Sequence, residues 1–170
     1  MNIFAISGNE TTGEIDWIQS ARDLDNLRVV KMILESCQIL STVLNEQGIK
    51  APYRSFNPKH PSCMWAAESS ENFENLALHC SAMLEEYTER FGKTHKCQAV
   101  LETILDIYDP MRFPQRQATP LRLAMPEYFK SENPVKSYRD YYSQKNNMRY
   151  PKEKIPKWLK ERRKKEMIII

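Results

Sequence analysis

LDNLRVVKMILESCQILSTVLN, residues 24 to 45, decides the fold. Its polar side chains Arg28, Lys31, Glu35, Gln38 and Thr42 recur at steps of three, four, three and four, so they share one narrow line along a helix. The rest of that helix is apolar: Leu27, Val29, Val30, Met32, Ile33, Leu34, Cys37, Ile39, Leu40, Val43 and Leu44. A surface helix has the opposite proportions. The pattern therefore predicts a buried central helix whose polar line faces a cleft or a partner. A carboxylate on that line beside cationic and amide groups is a candidate site. A solvated strip is the other reading, with Lys31 and Glu35 forming an exposed pair worth about 0.3–0.5 kcal/mol.

Working outward, helical spacing continues. A short helix is expected from Asp16 to Asp23. A long second helix is expected from about Ser62 to Phe91, with a break near Ser69 to Asn72 and a stop at Gly92. A third is expected from about Thr94 to Tyr108, ended by Asp109-Pro110. The Pro-bearing stretch 48–61 is a long loop of the kind that often carries function, and residues 109–134 are irregular, with five prolines. Strand-like alternation is scarce, so the fold class is all-α. The 170 residues suit one domain, taken as 1–150 with a basic helical extension at 151–170.

Composition excludes several classes. Four glycines and no glycine-rich phosphate loop argue against a P-loop or dinucleotide-binding enzyme. No apolar run is long enough to span a membrane, and the N-terminus does not read as a signal peptide. The four cysteines contain no CxxC, and with His60, His79 and His95 they lack metal-ligand spacing. Buried free thiols in a cytoplasmic protein fit best. No metal and no cofactor are expected.

Charge is uneven. Residues 151–170 carry eight Lys/Arg and three Glu, a balance of +5, while the whole chain is +3 and the other 150 residues are therefore −2. This tail suits phosphates, an anionic surface or another protein. Arg90, Lys93, His95 and Lys96 gather at one short turn. In VKSYRDYYSQKN, residues 135–146, Tyr138, Tyr141 and Tyr142 share a helical face with Arg139 nearby. Rings interleaved with cations suit a nucleic-acid surface, where aromatics stack on bases; burial in the core is the other reading.

These landmarks resemble those of the small all-α phage pyrimidine-dimer DNA glycosylases, often called endonuclease V. That family has an Asp-x-His-(six residues)-Glu pattern on a central helix; the corresponding stretch here is Asp25, Asn26, Leu27, then Arg28 in the histidine's place and, seven residues on, Glu35. A His before the long second helix is matched by His60-Pro61, and a closing aromatic segment by Tyr138-Arg139-Asp140-Tyr141-Tyr142. The chain is also similar to uncharacterised phage proteins through Val29 to Glu35, His60-Pro61, Trp65, Asn72-Phe73, Glu86-Tyr87-Thr88 and Arg90 to Lys96. A phage origin would put it in the host cytoplasm.

The resemblance implies a DNA glycosylase/AP lyase acting on double-stranded DNA. Glu35 would be the catalytic carboxylate, and the α-amine of residue 1 the nucleophile. In the family that amine belongs to a threonine exposed by removal of the initiator methionine. Asn2 here implies that Met1 is kept and supplies it. An α-amine titrates near 8, about two units below lysine, so far more of it is unprotonated at neutral pH. Arg28, Lys31, Gln38, His60, the 90–96 turn cations and the 138–142 segment would contact DNA. The alternatives are a catalytically inactive nucleic-acid-binding relative, and an accessory or inhibitor protein that docks a host or phage partner through its tail. The enzymatic reading requires the Met1 nitrogen within roughly 8 Å of the Glu35 carboxylate, close enough for a proton to pass directly or through one water.

Overall fold

The computed structural model describes residues 1–169. It is helical: α1 (Trp17–Arg22), α2 (Asn26–Glu46), α3 (Pro61–Glu68), α4 (Ser70–Phe91), α5 (Cys97–Ile107), α6 (Pro134–Tyr142) and α7 (Lys157–Ile169). Among the described residues there is no strand, only an isolated antiparallel bridge between Gly8 and Ile15. Gly8 has φ +146°, and a Cβ there would lie 2.0 Å from the Glu14 carbonyl oxygen, so this close backbone approach requires glycine.

α2 and α4 pack against each other and carry most of the core. Val29, Ile33, Cys37, Leu40 and Leu44 from α2 meet Phe73, Leu76, Cys80 and Met83 from α4, all buried. Each fully buried aliphatic side chain of this kind contributes about 1.5–3 kcal/mol. Ile3, Phe4, Ala5 and Ile6 thread into the same core without forming a strand. All four cysteines are buried and free. No described helix is long and apolar enough to cross a membrane.

Local chemistry sets the ends of the helices. Asp16 accepts from the Gln19 N–H at 2.8 Å and starts α1. Ser69 has extended backbone and accepts from the Asn72 N–H at 3.0 Å, so the long second helix divides there into α3 and α4. Gly92 is left-handed, φ 69°, and its N–H returns to the Thr88 carbonyl, which ends α4. α5 begins at Cys97 rather than Thr94, because His95 Nδ1 accepts from the Cys97 N–H at 3.0 Å and holds residues 92–96 as a turn.

One expectation needs correction. α2 is not buried all round: Leu27, Val30 and Leu34 stay in solvent, at 53%, 38% and 41% exposure. The basic tail is helical and partly docked. Leu159 is buried, Trp158 Nε1 donates to Asp23, and Arg162 pairs with Asp140 at 2.8 Å, so the first half of α7 is seated on the body. Lys157, Lys160, Arg163, Lys164 and Lys165 remain exposed. Ile170, the last of the three closing isoleucines, lies outside the described residues.

Candidate active site

Residue 1 is held in place by the residues just after it. The Asn2 side chain donates to the Ala124 carbonyl at 2.8 Å and accepts from its neighbour Ile3 N–H and from the Tyr138 hydroxyl. Phe4 is enclosed by the rings of Tyr142, Tyr138 and Tyr141, with centroids 5.1, 6.2 and 6.4 Å away. Such aromatic pairs add about 0.5–1.5 kcal/mol beyond their burial. Arg139 Nε donates to the Ile6 carbonyl at 2.7 Å. α6 is therefore a clamp on residues 2–6.

The clamp delivers the chain's first nitrogen to the middle of α2, where it lies 3.1 Å from Glu35 Oε1. The Met1 side chain is 2% exposed although the residue as a whole is only half-buried. The surface that Met1 retains is thus on its backbone, which begins with the amine. The Glu35 side chain is 14% exposed, so the pair is partly dry and still reachable.

His60 stands beside this pair as the N-cap of α3. Its Nδ1 accepts from the Ser62 N–H at 3.1 Å, which assigns the neutral ring's proton to Nε2 as a donor. Burial lowers its pKa below the ordinary 6.5, the Met1 amine's positive charge lowers it further, and Glu35 opposes both. The ring is therefore neutral at pH 7. Cys63 is also in reach of the amine's charge, yet burial pushes its thiol up to about 11, so it is no rival nucleophile at neutral pH.

The remaining polar line of α2 divides by role. Lys31 is exposed and makes no ion pair among the described residues. Glu35 faces the amine instead of pairing with Lys31. Gln38 is half-buried. Arg28 pairs with Asp25 at 3.3 Å and leans on the Asn146 carbonyl. Thr42 is buried, accepting from Phe56 N–H and so tying the 48–61 loop to α2.

Several proposed DNA contacts are corrected by burial. Tyr138 and Tyr142 are fully buried, so neither ring can stack on a base; Tyr142 instead bonds Asp25 at the start of α2. Tyr141 is half-buried beneath the Lys145 ammonium, 4.2 Å from its ring centre. Arg139 is held by Ile6, Glu10 and the Trp158 ring. The Arg90 side chain is 1% exposed: it pairs with Glu86 at 2.8 Å and donates to the Leu24 and Arg22 carbonyls. Its guanidinium closes the α1–α2 turn, with four of its five N–H groups paired inside the protein and the side chain shielded from phosphate. Lys93 and Lys96 stay exposed on the 92–96 turn, and His95 faces the Val30 carbonyl. That contact puts the turn beside the exposed side of α2.

Asn2 and Phe4 are absent from the sequence-derived site. The available signal was an apolar opening, Ile3, Phe4 and Ile6, closed by a glycine turn, and nothing local links it to residues 138–142.

A family model for pyrimidine dimer DNA glycosylases matches residues 1–99. The chain belongs to the pyrimidine dimer DNA glycosylase family. Membership supports a glycosylase-like action on DNA in general. The matched span contains the amine, Glu35, His60 and the 92–96 turn; α6, which clamps residues 2–6, lies beyond it, as does α7. No curated protein and no solved structure matches the chain.

Proposed function

We propose that this protein is a DNA glycosylase/AP lyase whose nucleophile is the α-amine of Met1 and whose carboxyl group is Glu35. The observation that carries the reading is the 3.1 Å separation between Met1 N and Glu35 Oε1, well within proton-transfer reach.

The amine attacks as its free base. Its lone pair forms a bond to C1′ of the damaged nucleotide, and the bond from C1′ to the base breaks, with the base leaving on its electron pair and taking up a proton. Glu35 is the nearest group to carry a proton between the nitrogen and the sugar ring oxygen. Ring opening then leaves an imine between C1′ and Met1. Loss of a C2′ proton expels the 3′ phosphate and cuts the strand, and water releases the amine. His60, neutral and with Nε2–H free to donate, supports the departing base or the opened sugar. Lys31, Lys93 and Lys96 supply phosphate contacts; such contacts make binding fall with salt.

Nicking of ultraviolet-irradiated duplex DNA tests the proposal. Wild-type protein should cut at pyrimidine dimers, and Glu35→Gln should cut at least about 100-fold more slowly while binding the same duplex. Equal cutting by the two proteins would refute the role of Glu35. Salt-sensitive binding with no cutting by either would favour a non-catalytic DNA-binding protein.

A further inference from the structure

α2 carries an unpartnered apolar line about a quarter-turn round the helix from Glu35, with Lys31 between them. Leu27, Val30 and Leu34 fall at steps of three and four and are all solvent-exposed. Leu34 is the residue next to Glu35. The same helix buries eleven other residues, and neighbouring exposed apolar side chains rimmed by polar groups have the make-up of a contact site. Cations surround this line. Lys31 flanks it on the side toward Glu35, and His95, against Val30, brings the 92–96 turn with exposed Lys93 and Lys96 to its other edge. Tyr87 and Phe91 back that turn, with ring centroids 5.1 Å apart.

We infer that Leu27, Val30 and Leu34 form a nucleobase-contacting wedge that replaces a stacking neighbour when a nucleotide leaves the helix. The inference rests on the proposed function, and extends it from how the bond is broken to how C1′ is reached. The amine is fixed by the Asn2 and Phe4 anchors, so it cannot travel into a stacked duplex. The nucleotide must move instead, and unstacking costs a few kcal/mol per step. An apolar ridge one residue from the carboxylate can cover the exposed base faces, while Lys31, Lys93 and Lys96 hold the flanking phosphates. The partner committed to is a distorted DNA duplex; a second copy of this chain is the competing occupant.

The test pairs Leu34→Gln and Leu27→Gln with wild type in three measurements. The first is 2-aminopurine fluorescence next to a dimer, which reads unstacking on binding and needs no chemistry. The second is borohydride trapping on a duplex abasic site against the same site in single strand. The third is sedimentation of the free proteins. The wedge predicts a fluorescence rise with wild type that falls at least threefold in Leu34→Gln, and a duplex-to-single-strand trapping ratio about tenfold lower. Unchanged fluorescence and ratio in both variants would overturn it, as would a wild-type dimer that the substitutions dissociate. Absence of trapping by wild type on either substrate would instead overturn the imine mechanism, and the fluorescence result would still judge the wedge.

Discussion

The Tyr138 hydroxyl donates to Asn2 Oδ1 at 2.8 Å, linking residues 136 positions apart in the chain. Through this bond, a helix outside the family-matched span sets the position of the first nitrogen. Tyr138→Phe removes the bond and leaves Asn2 with its Ala124 and Ile3 partners. Stability should fall by about 1 kcal/mol. Trapping of an abasic-site adduct should slow more than duplex binding weakens. A variant that loses stability but traps at the wild-type rate would separate the clamp from the amine's placement.

His60 should matter as a neutral ring. Its pKa is held below 6.5 by burial and by the Met1 amine, so acidification first adds a proton to a ring that otherwise has Nδ1 committed to the Ser62 N–H. On top of the acid limb that protonation of the attacking amine itself produces, single-turnover base release should show a further decline at a pH below 6.5. His60→Asn, which can still cap α3, should lower that rate by about 100-fold with binding little changed. An unaltered acid limb in His60→Asn would assign the titration to another group.

Arg90 and Lys93, three residues apart in the sequence, should behave in opposite ways. Arg90→Met strips the buried Glu86 of one of its two cationic partners and orphans the Arg22 and Leu24 carbonyls, which should cost about 3–5 kcal/mol in denaturant unfolding. Lys93→Gln should leave stability within about 0.5 kcal/mol and reduce the salt slope of DNA binding by about one. A normal salt slope in Lys93→Gln would remove the 92–96 turn from the DNA interface.

His79 gives the fold an acid limit. It is buried against the Trp17 carbonyl, 2.8 Å from Nδ1, and burial lowers its pKa from 6.5 to about 4. Between those values the unfolded chain binds the proton and the folded chain does not. His79 therefore penalises folding progressively as pH falls from 6.5 toward 4, by about 3 kcal/mol in all, and has no effect above 6.5. Unfolding measured across that window should be less steep in pH for His79→Gln by close to one proton.

Much of the fold is legible in local pattern. The three-four spacing of α2, the Gly92 stop and the Pro-rich loops follow from periodicity and backbone chemistry, and the same spacing singles out Glu35. The role of the tyrosines is not legible locally. Aromatic rings interleaved with cations describe a base-stacking surface and a clamp around a buried segment equally well, and only the fold, which brings Phe4 against Tyr138 and Tyr142, chooses between them. Arg90 misleads for the same reason: its partners Glu86, Arg22 and Leu24 meet only once α1 has packed on α4. The exposure of Leu27, Val30 and Leu34 runs against their hydrophobicity. A site that uses apolar surface for binding breaks the burial rule in this way.

The most direct test is to locate the covalent link. Borohydride reduction of the protein on an abasic duplex, followed by proteolysis and mass spectrometry, should put the sugar remnant on the α-nitrogen of the N-terminal peptide, with Met1 retained. A remnant on Lys31 or another lysine side chain, with the N-terminal peptide unmodified, would contradict the account.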